Sequence, residues 1–251
     1  MIKNISNSAI SFPKAIIFDT DNTLYPYPPS HDSAMKAVFV KLKKLVGLDQ
    51  RETSVVFNEA RRQIKQQLLN TASSHSRLLY FQRMIELLGM GTRISLALDL
   101  EQTYWRTFLT NAQLFDGVLE FLQVLKSKGV ITANVTDLTA QIQFRKMVYF
   151  NLGDYFDYVV TSEESGKDKP STNSYKLAFD KLEIEPHDAW MIGDDAISDM
   201  FGAKEFGLTT FFISHYYSDV KECNSDTTDI VFDSFSDLNG LFLKVCGEYE
   251  K

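Results

Sequence analysis

Acidic residues follow two apolar stretches of the sequence, at positions where they could transfer protons and bind a metal ion. Asp19 and Asp21 come directly after the apolar residues 15–18, and Asp194 comes directly after residues 189–193. A carboxylate is ionised at neutral pH, can attack as a nucleophile and can carry a proton. Carboxylate oxygens are also the ligands that Mg²⁺ prefers. These residues therefore indicate a catalytic site that works with a bound cation.

Other polar residues could complete such a site. Thr136 ends an apolar-rich segment, Lys169 stands before a proline, and Asp199 shortly follows Asp194. If these residues meet at one edge of a sheet, they add a hydroxyl, a cation and another carboxylate. Asp195 is an alternative to Asp199 as the second acidic residue of a metal site. Both acids are also typical of a helix start, where the helix dipole favours negative charge.

The periodicity of the sequence indicates two kinds of architecture. Between Ser30 and about Asn111 the apolar residues recur at helical spacing, which predicts about four helices and no strand. The rest of the chain alternates short apolar runs with helical segments, and this alternation favours a parallel sheet joined by right-handed crossovers. Strands are predicted at residues 14–18, 130–135, 157–161, 189–193, 209–213 and 229–232. Such sheets bind ligands at the carboxyl ends of their strands, where the acidic residues stand.

The fold class predicted is α/β, a doubly wound parallel sheet with a helical domain inserted after its first strand. The core is expected to comprise residues 1–25 and 112–251, and the helical domain residues 26–111. Three prolines between residues 26 and 29 support the first boundary. Proline fixes φ and disfavours helix at the residue before it, so a change of structure is expected there.

The composition argues against several classes of protein. The 251-residue chain is 44% apolar, enough for a buried core, and its formal net charge of -7 argues against a nucleic-acid-binding face. No apolar run approaches the roughly 20 residues of a membrane-spanning helix. Residues 1–10 lack the basic and apolar regions of an export signal, so we expect a cytoplasmic protein without a membrane partner. Cys223 and Cys246 lack the spacing of a zinc site.

Several segments resemble motifs of the haloacid dehalogenase-like (HAD) hydrolase superfamily. Residues 18–24, FDTDNTL, are similar to the first motif, and residues 191–199, MIGDDAISD, are similar to the fourth. Residues 157–170, DYVVTSEESGKDKP, resemble the third motif, and Thr136 stands where the second has serine or threonine. The resemblance implies a Rossmann-like core in which residues 26–111 take the place of a C1-type cap domain.

The resemblance implies a role for each acidic residue. Asp19 corresponds to the nucleophile, and Asp21 corresponds to the general acid and base, whose backbone carbonyl also faces the metal. Asp194 corresponds to a direct ligand of Mg²⁺, and Asp199 to a ligand or to a residue that orients one through water. Dehalogenases of the superfamily lack the second aspartate of the first motif, so Asp21 favours a phosphatase.

The remaining residues of the family site bind the phosphoryl group. Thr136 would donate a hydrogen bond through its hydroxyl, and Asp137, where the family often has asparagine, would use its backbone N–H. Lys169 would balance the charge between the nucleophile and the transferred group. Lys167 is interpreted as an exposed loop residue, and Thr23 is expected to bond to the backbone of its own loop.

The function implied is magnesium-dependent hydrolysis of a small-molecule phosphomonoester, a nucleotide or a sugar phosphate, through an aspartyl phosphate on Asp19. A phosphomutase of the same superfamily is the nearest alternative, because it uses the same core. A receiver-like or other non-catalytic phosphate-binding module is a third interpretation. Receivers place adjacent acids after the first strand, however, and a non-catalytic relative would be expected to have lost Asp19 or Asp21.

Substrate contacts could also come from the helical domain and the segment before it. The candidates are Arg77, Tyr80, Arg83 and Tyr25. A charged helix face is solvated more often than it is functional, so each candidate is weaker than the residues of the motifs. His31 and His75 are expected to be surface residues.

Overall fold

The computed structural model describes residues 1–6, 8–215 and 223–249. The chain divides into two compact units. The α/β unit comprises Met1–Pro26 and Gln113–Lys251, and the helical unit comprises Tyr27–Ala112. Each division falls one residue further along the chain than the boundary expected from the sequence.

The α/β unit is built on a seven-stranded sheet with the order β1-β7-β6-β5-β2-β3-β4. Its strands are β1 (Ile2–Asn4), β2 (Ala15–Phe18), β3 (Ile131–Thr136), β4 (Tyr158–Thr161), β5 (Ala189–Gly193), β6 (Thr209–Ile213) and β7 (Ile230–Phe232). All neighbouring strands pair in parallel except β1, which pairs antiparallel with β7. The predicted α/β fold is thus confirmed, and β1 is the strand that the sequence analysis missed.

The helical unit contains four α-helices within residues 27–112. They are α1 (Tyr27–Val46), α2 (Gln50–Gln67), α3 (Arg77–Leu87) and α4 (Ile94–Asn111), with a short 3₁₀ turn at Ala72–His75. The α2 helix begins at a capping box, in which Asp49 and Glu52 each accept a hydrogen bond from the other's backbone N–H. Apolar stripes of the helices bury a shared core that includes Phe57, Phe81 and Phe108.

The sheet of the α/β unit is accompanied by further helices. They are α5 (Val118–Ser127), α6 (Ala140–Tyr149), α7 (Ser162–Ser165), α8 (Asn173–Leu182), α9 (Gly202–Phe206) and α10 (Phe235–Tyr249), with a 3₁₀ turn at Pro186–Asp188 and a π-helical turn at Ala196–Phe201. The residues of β2 and β5 are almost completely buried, as expected for parallel strands covered on both faces. None of the helices in the described parts of the chain has the length and apolar character needed to cross a membrane.

The strand order places a topological switch point between β2 and β5. From β2 the chain adds β3 and β4 on one side of the sheet, and it then returns to add β5, β6 and β7 on the other side. Phe18 at the end of β2 lies opposite Ile192 in β5 and Asn134 in β3. Ligands of open α/β sheets bind at such a point, outside the carboxyl ends of the strands.

Candidate active site

Lys169 joins two carboxylates at the carboxyl ends of β2 and β5. Its ammonium donates hydrogen bonds to Asp19 Oδ1 at 2.6 Å, to Asp199 Oδ1 at 2.7 Å and to the backbone oxygen of Val135 at 3.0 Å. The lysine side chain is only 2% exposed. Burial lowers the pKa of Lys169, but the attraction of Asp19 and Asp199 raises it well above its usual range. The side chain therefore carries a positive charge.

Three carboxylates converge beside this lysine. One oxygen from each of Asp19, Asp194 and Asp199 lies within 4.8 Å of the other two. Burial raises the pKa of Asp19 to about 7, against the opposing effect of Lys169. Burial, followed by repulsion from Asp199 and Asp19, raises the pKa of Asp194 well above its ordinary value. Three acids around one lysine leave excess negative charge, and this donor set fits a divalent cation with oxygen ligands.

Backbone geometry at the end of β5 lets Asp199 approach the strand. Asp199 Oδ2 accepts hydrogen bonds from the backbone N–H groups of Asp194 and Asp195, each at 3.1 Å. A Cβ atom at Gly193 would lie 2.4 Å from that same oxygen, so a larger residue there would displace the carboxylate. The hydroxyl of the fully buried Tyr175 also donates to the backbone oxygen of Asp199 at 3.0 Å.

The structure separates the two candidates for the second acid after β5. Asp195 is exposed and caps the π-helical turn, because its Oδ1 accepts hydrogen bonds from the N–H groups of Ile197 at 2.9 Å and Ser198 at 2.6 Å. Asp199 instead lies buried in the carboxylate cluster. Asp195 therefore fits the helix-start interpretation, and Asp199 is the one of the two acids that lies where a metal site is expected.

Asp21 lies outside the carboxylate cluster and has its own partners. Its two carboxylate oxygens accept hydrogen bonds from Lys146 Nζ at 2.6 and 2.9 Å. The hydroxyl of Tyr25 also donates a short hydrogen bond to Asp21. Tyr25 is fully buried, so its suggested role as a substrate contact does not match its position in the structure.

The phosphate-binding candidates lie at the end of β3 and in the loop that carries Lys169. Thr136 Oγ1 accepts a hydrogen bond from Gln143 Nε2 at 2.8 Å, and the same amide donates to the backbone oxygen of Asp137 at 2.7 Å. Asp137 Oδ1 accepts the backbone N–H of Lys169 at 3.0 Å. Burial raises the pKa of Asp137 to about 6, with Lys169 opposing the rise. The Asp137 carboxylate thus helps to fix the segment that presents Lys169.

Two smaller expectations from the sequence meet different outcomes. Lys167 is exposed, as expected of a loop cation. Thr23 was expected to bond to the backbone of its own loop, but its hydroxyl is directed at Asp194 Oδ1, 3.4 Å away. That contact is long for a hydrogen bond between oxygens, so it orients the Asp194 side chain only weakly.

The candidate substrate contacts of the helical unit are engaged within that unit. Tyr80 is buried and its hydroxyl donates to the backbone oxygen of Ser74. Arg83 Nη1 lies 3.1 Å from Glu86 Oε2, while its Nε donates to a glutamine. The Arg77 guanidinium lies within 6.0 Å of the ring centres of Tyr27, Tyr80, Tyr104 and Trp105. These contacts account for the three residues as members of the unit's own packing.

His31 is not the surface residue that the sequence suggested. Its Nδ1 lies 2.7 Å from the hydroxyl of Tyr104, and its ring stacks on Tyr27 with centres 5.5 Å apart. Burial and the nearby Arg77 lower the pKa of His31 to about 4, so the ring is neutral at physiological pH. His75 is half-buried, and its backbone oxygen accepts a hydrogen bond from Arg77.

Sequence reasoning missed the residues of α6 that support the site. Gln143 and Lys146 are both completely buried, although glutamine and lysine usually face solvent. Phe144 and Val148 on the same helix are 52% and 78% exposed. A signal was present in this inverted pattern, because two polar residues three positions apart share one helix face. The periodicity by itself does not indicate which face is turned to the core.

Comparison with known proteins identifies the family. The family model described as "Haloacid dehalogenase-like hydrolase" matches residues 16–213. The chain belongs to this family. It is similar to a ribulose-1,5-bisphosphate 5-phosphatase of Halopiger xanaduensis, with 38% identity over 197 residues that span 78% of this chain and 82% of the relative. It is also similar to a glyceraldehyde 3-phosphate phosphatase of Methanopyrus kandleri, with 27% identity over 85% of this chain and 89% of the relative.

A solved structure of the HAD family has the same fold. The HAD-hydrolase YfnB of Bacillus subtilis, determined with bound magnesium, matches with a TM-score of 0.69. The match covers 93% of this chain and 100% of that protein, at 18% sequence identity. At this level of identity the likeness concerns the fold alone.

Proposed function

We propose that this HAD-family protein is a magnesium-dependent phosphatase that hydrolyses small-molecule phosphomonoesters. The observation that supports the proposal best is the convergence of Asp19, Asp194 and Asp199 around Lys169 at the switch point of the sheet. It combines a nucleophile, a fixed cation and a set of oxygen ligands in one place. Phosphoryl transfer depends mainly on such positioning and charge neutralisation.

The proposed reaction proceeds through a covalent intermediate on Asp19. A carboxylate oxygen of Asp19 attacks phosphorus, the bond from phosphorus to the ester oxygen breaks, and Asp21 gives its proton to the departing oxygen. In the second half, Asp21 takes a proton from water, whose oxygen attacks phosphorus and releases inorganic phosphate from Asp19. Lys169 supports both halves, because its positive charge, 2.6 Å from Asp19, lets two anions approach each other.

Asp19, Asp194 and Asp199 are the side chains that would hold Mg²⁺, and the backbone carbonyl of Asp21 is a further candidate ligand. The bound ion supplies positive charge that stabilises the phosphoryl oxygens as the reaction proceeds. The excess negative charge of the three-acid cluster supports this assignment.

We propose that Thr136, Asp137 and Lys169 bind the phosphoryl group. The Thr136 hydroxyl accepts from Gln143, and its own hydrogen makes only a long contact of 3.5 Å with the backbone oxygen of Asp137. A phosphoryl oxygen at normal hydrogen-bond distance would be a better acceptor for that hydrogen. The Asp137 carboxylate accepts a hydrogen bond from the backbone N–H of Lys169. A phosphate contact from Asp137 would therefore come from the backbone N–H of Asp137. Its carboxylate is unsuited to direct contact with an anion.

We propose a phosphorylated sugar or sugar derivative as the substrate, in preference to a nucleotide. The relatives are named for ribulose 1,5-bisphosphate and glyceraldehyde 3-phosphate, and further relatives are phosphoglycolate phosphatases. These substrates are all small and anionic and contain no nucleobase. We further propose that the helical unit is a C1-type cap that contributes to substrate selection, since it is inserted directly after the first motif.

Release of inorganic phosphate tests this function directly. Purified protein is incubated with Mg²⁺ and a panel that contains ribulose 1,5-bisphosphate, glyceraldehyde 3-phosphate, phosphoglycolate and nucleoside monophosphates. We expect turnover of at least one sugar-derived phosphate, loss of turnover on chelation, and a fall of at least about a thousandfold for Asp19→Asn. Asp180→Asn, on an exposed position of α8, is the matched control and should retain activity. Full turnover by Asp19→Asn would refute the role of Asp19 as nucleophile.

A further inference from the structure

One face of α6 carries polar side chains into the interior of the α/β unit. Gln143 and Lys146, three residues apart, are both 0% exposed. Gln143 reaches Thr136 and the backbone of Asp137, whereas Lys146 reaches Asp21. A single helix thus contacts a phosphate-binding candidate and the candidate acid and base.

Lys146 contacts both carboxylate oxygens of Asp21 at hydrogen-bond distance. Lys146 Nζ lies 2.6 Å from one carboxylate oxygen of Asp21 and 2.9 Å from the other. Tyr25 donates a further hydrogen bond from its hydroxyl. The ring of Tyr25 is itself fixed, because it is fully buried and its centre lies 5.0 Å from that of Phe150. Two anchored donors therefore restrict the orientation of the Asp21 carboxylate.

The exposure of the two partners is strongly unequal. The side chain of Asp21 is 33% exposed, whereas that of Lys146 is completely buried. Burial of an ammonium is strongly unfavourable unless the charge is paired, and a lysine side chain would otherwise extend into water. Water could solvate the exposed part of the Asp21 carboxylate without any contact from a buried lysine. The arrangement instead leaves part of the carboxylate accessible while its inner side is fixed by the protein.

We propose that Lys146, assisted by Tyr25, is a positioning residue that orients the Asp21 carboxylate for proton transfer to the leaving group. This inference rests on the proposed phosphatase function, in which Asp21 is the acid and base. Lys146 acts through Asp21 and does not itself contact the phosphoryl group. Its removal should therefore impair the two steps in which Asp21 transfers a proton and leave substrate binding nearly unchanged.

The dependence of the rate on the leaving group distinguishes this role from general structural damage. Phenyl phosphate releases a weakly acidic phenol that needs a proton from Asp21, whereas 4-nitrophenyl phosphate releases a stable phenolate that needs little assistance. General acid catalysis typically contributes about 10²- to 10⁴-fold, so misorientation of Asp21 should remove part of it. For Lys146→Met we expect kcat/KM to fall about 10- to 100-fold on phenyl phosphate and less than about threefold on 4-nitrophenyl phosphate.

Two further variants complete the experiment. Tyr25→Phe removes only the hydroxyl and keeps the buried ring, so we expect a smaller loss with the same dependence on the leaving group. If Lys146→Met does not fold, as judged by circular dichroism, Tyr25→Phe tests the positioning role by itself. Lys176→Met, at an exposed position of α8, is the matched control and should behave as the wild type on both substrates.

The possible failures are distinguishable. If the wild type releases phosphate from neither substrate nor from the sugar phosphates above, the proposed function fails and the inference fails with it. An active wild type combined with equal losses on both aryl phosphates, or with no loss for folded Lys146→Met and Tyr25→Phe, would overturn the positioning role alone.

Discussion

Replacement of Asp194 by asparagine should stabilise the metal-free protein at pH 8. One oxygen from each of Asp194, Asp19 and Asp199 lies within 4.8 Å of the other two. Lys169 provides a single positive charge against these three carboxylates, at 2.6 Å from Asp19 and 2.7 Å from Asp199. The cluster therefore contains more negative charge than its lysine balances, and Asp194 contributes to the excess.

The magnitude follows from the spacing. Two unit charges 4.8 Å apart repel each other by about 3.5 kcal/mol at an effective dielectric constant of roughly 20. Asp194 meets two such repulsions, from Asp199 and Asp19, and a smaller one from Asp195, while the attraction of Lys169 is weaker than any of these three. Removal of the Asp194 charge should therefore raise the free energy of unfolding by about 1 to 3 kcal/mol, once partial exposure is allowed for.

The gain in stability should depend on pH. The pKa of Asp194 is raised in the folded protein, so the folded state binds a proton more readily than the unfolded chain. The ionised carboxylate thus destabilises the fold at a pH above its folded pKa, and this effect disappears at a pH below the ordinary value of 3.8. The gain from Asp194→Asn should therefore be absent at about pH 3 and grow as the pH rises above 3.8.

Urea unfolding followed by circular dichroism, in the presence of a chelator, measures the difference. Asp180→Asn, at an exposed position of α8 outside the carboxylate cluster, is the matched control. Added Mg²⁺ should then stabilise the wild type more than Asp194→Asn, because binding to the folded state adds to its stability. The electrostatic reasoning is refuted if Asp194→Asn is less stable than the wild type at pH 8, or if Asp180→Asn gains as much.

Two further predictions concern local geometry and pH. Gly193→Ala should displace the Asp199 carboxylate, since the new Cβ would lie 2.4 Å from Asp199 Oδ2. The substitution should lower phosphate release, and it should lower the free energy of unfolding by about 1 to 3 kcal/mol. Gly153→Ala, which has open space around it, is the control in both assays. The pKa of His31 is lowered to about 4 in the folded state, so the unfolded chain binds the proton first as the pH falls. Between pH 7 and pH 4 the free energy of unfolding of the wild type should therefore fall by up to about 3 kcal/mol relative to that of His31→Asn. Urea titrations of both proteins across that range measure this loss, and a constant difference between them would contradict it.

The sheet was largely predictable because its strands are short apolar runs between polar residues. The predicted strands at 189–193 and 209–213 coincide with β5 and β6, whose residues are mostly buried. Strand β1 was missed because its three residues are half-buried or exposed and pair at the edge of the sheet. A run of that length has no periodicity that separates it from a loop.

The carboxylate cluster was predictable for a related reason. Asp19 and Asp194 directly follow β2 and β5, and the parallel register of those strands brings their ends together. The choice between Asp195 and Asp199 was open in the sequence because both follow the same strand. It depends on backbone direction after Gly193, where one acid turns outward to cap a helix and the other turns toward Lys169.

The support for Asp21 was beyond sequence reasoning. Lys146 lies 125 positions from Asp21, on a helix that buries its polar residues and exposes Phe144 and Val148. An amphipathic pattern normally indicates the opposite orientation. Tyr25 was named as a candidate substrate contact for a similar reason, since an aromatic residue beside the first motif gives no sign that its hydroxyl donates to Asp21.

Detection of the covalent intermediate tests the central claim most directly. The enzyme is mixed with Mg²⁺ and a substrate that it turns over, quenched in acid during turnover, digested, and analysed by mass spectrometry. The mechanism predicts a phosphoryl group on the peptide that contains Asp19, and its absence from Asp19→Asn treated in the same way. Sustained turnover with no phosphoryl group on that peptide, or with the group on another residue, would contradict nucleophilic attack by Asp19.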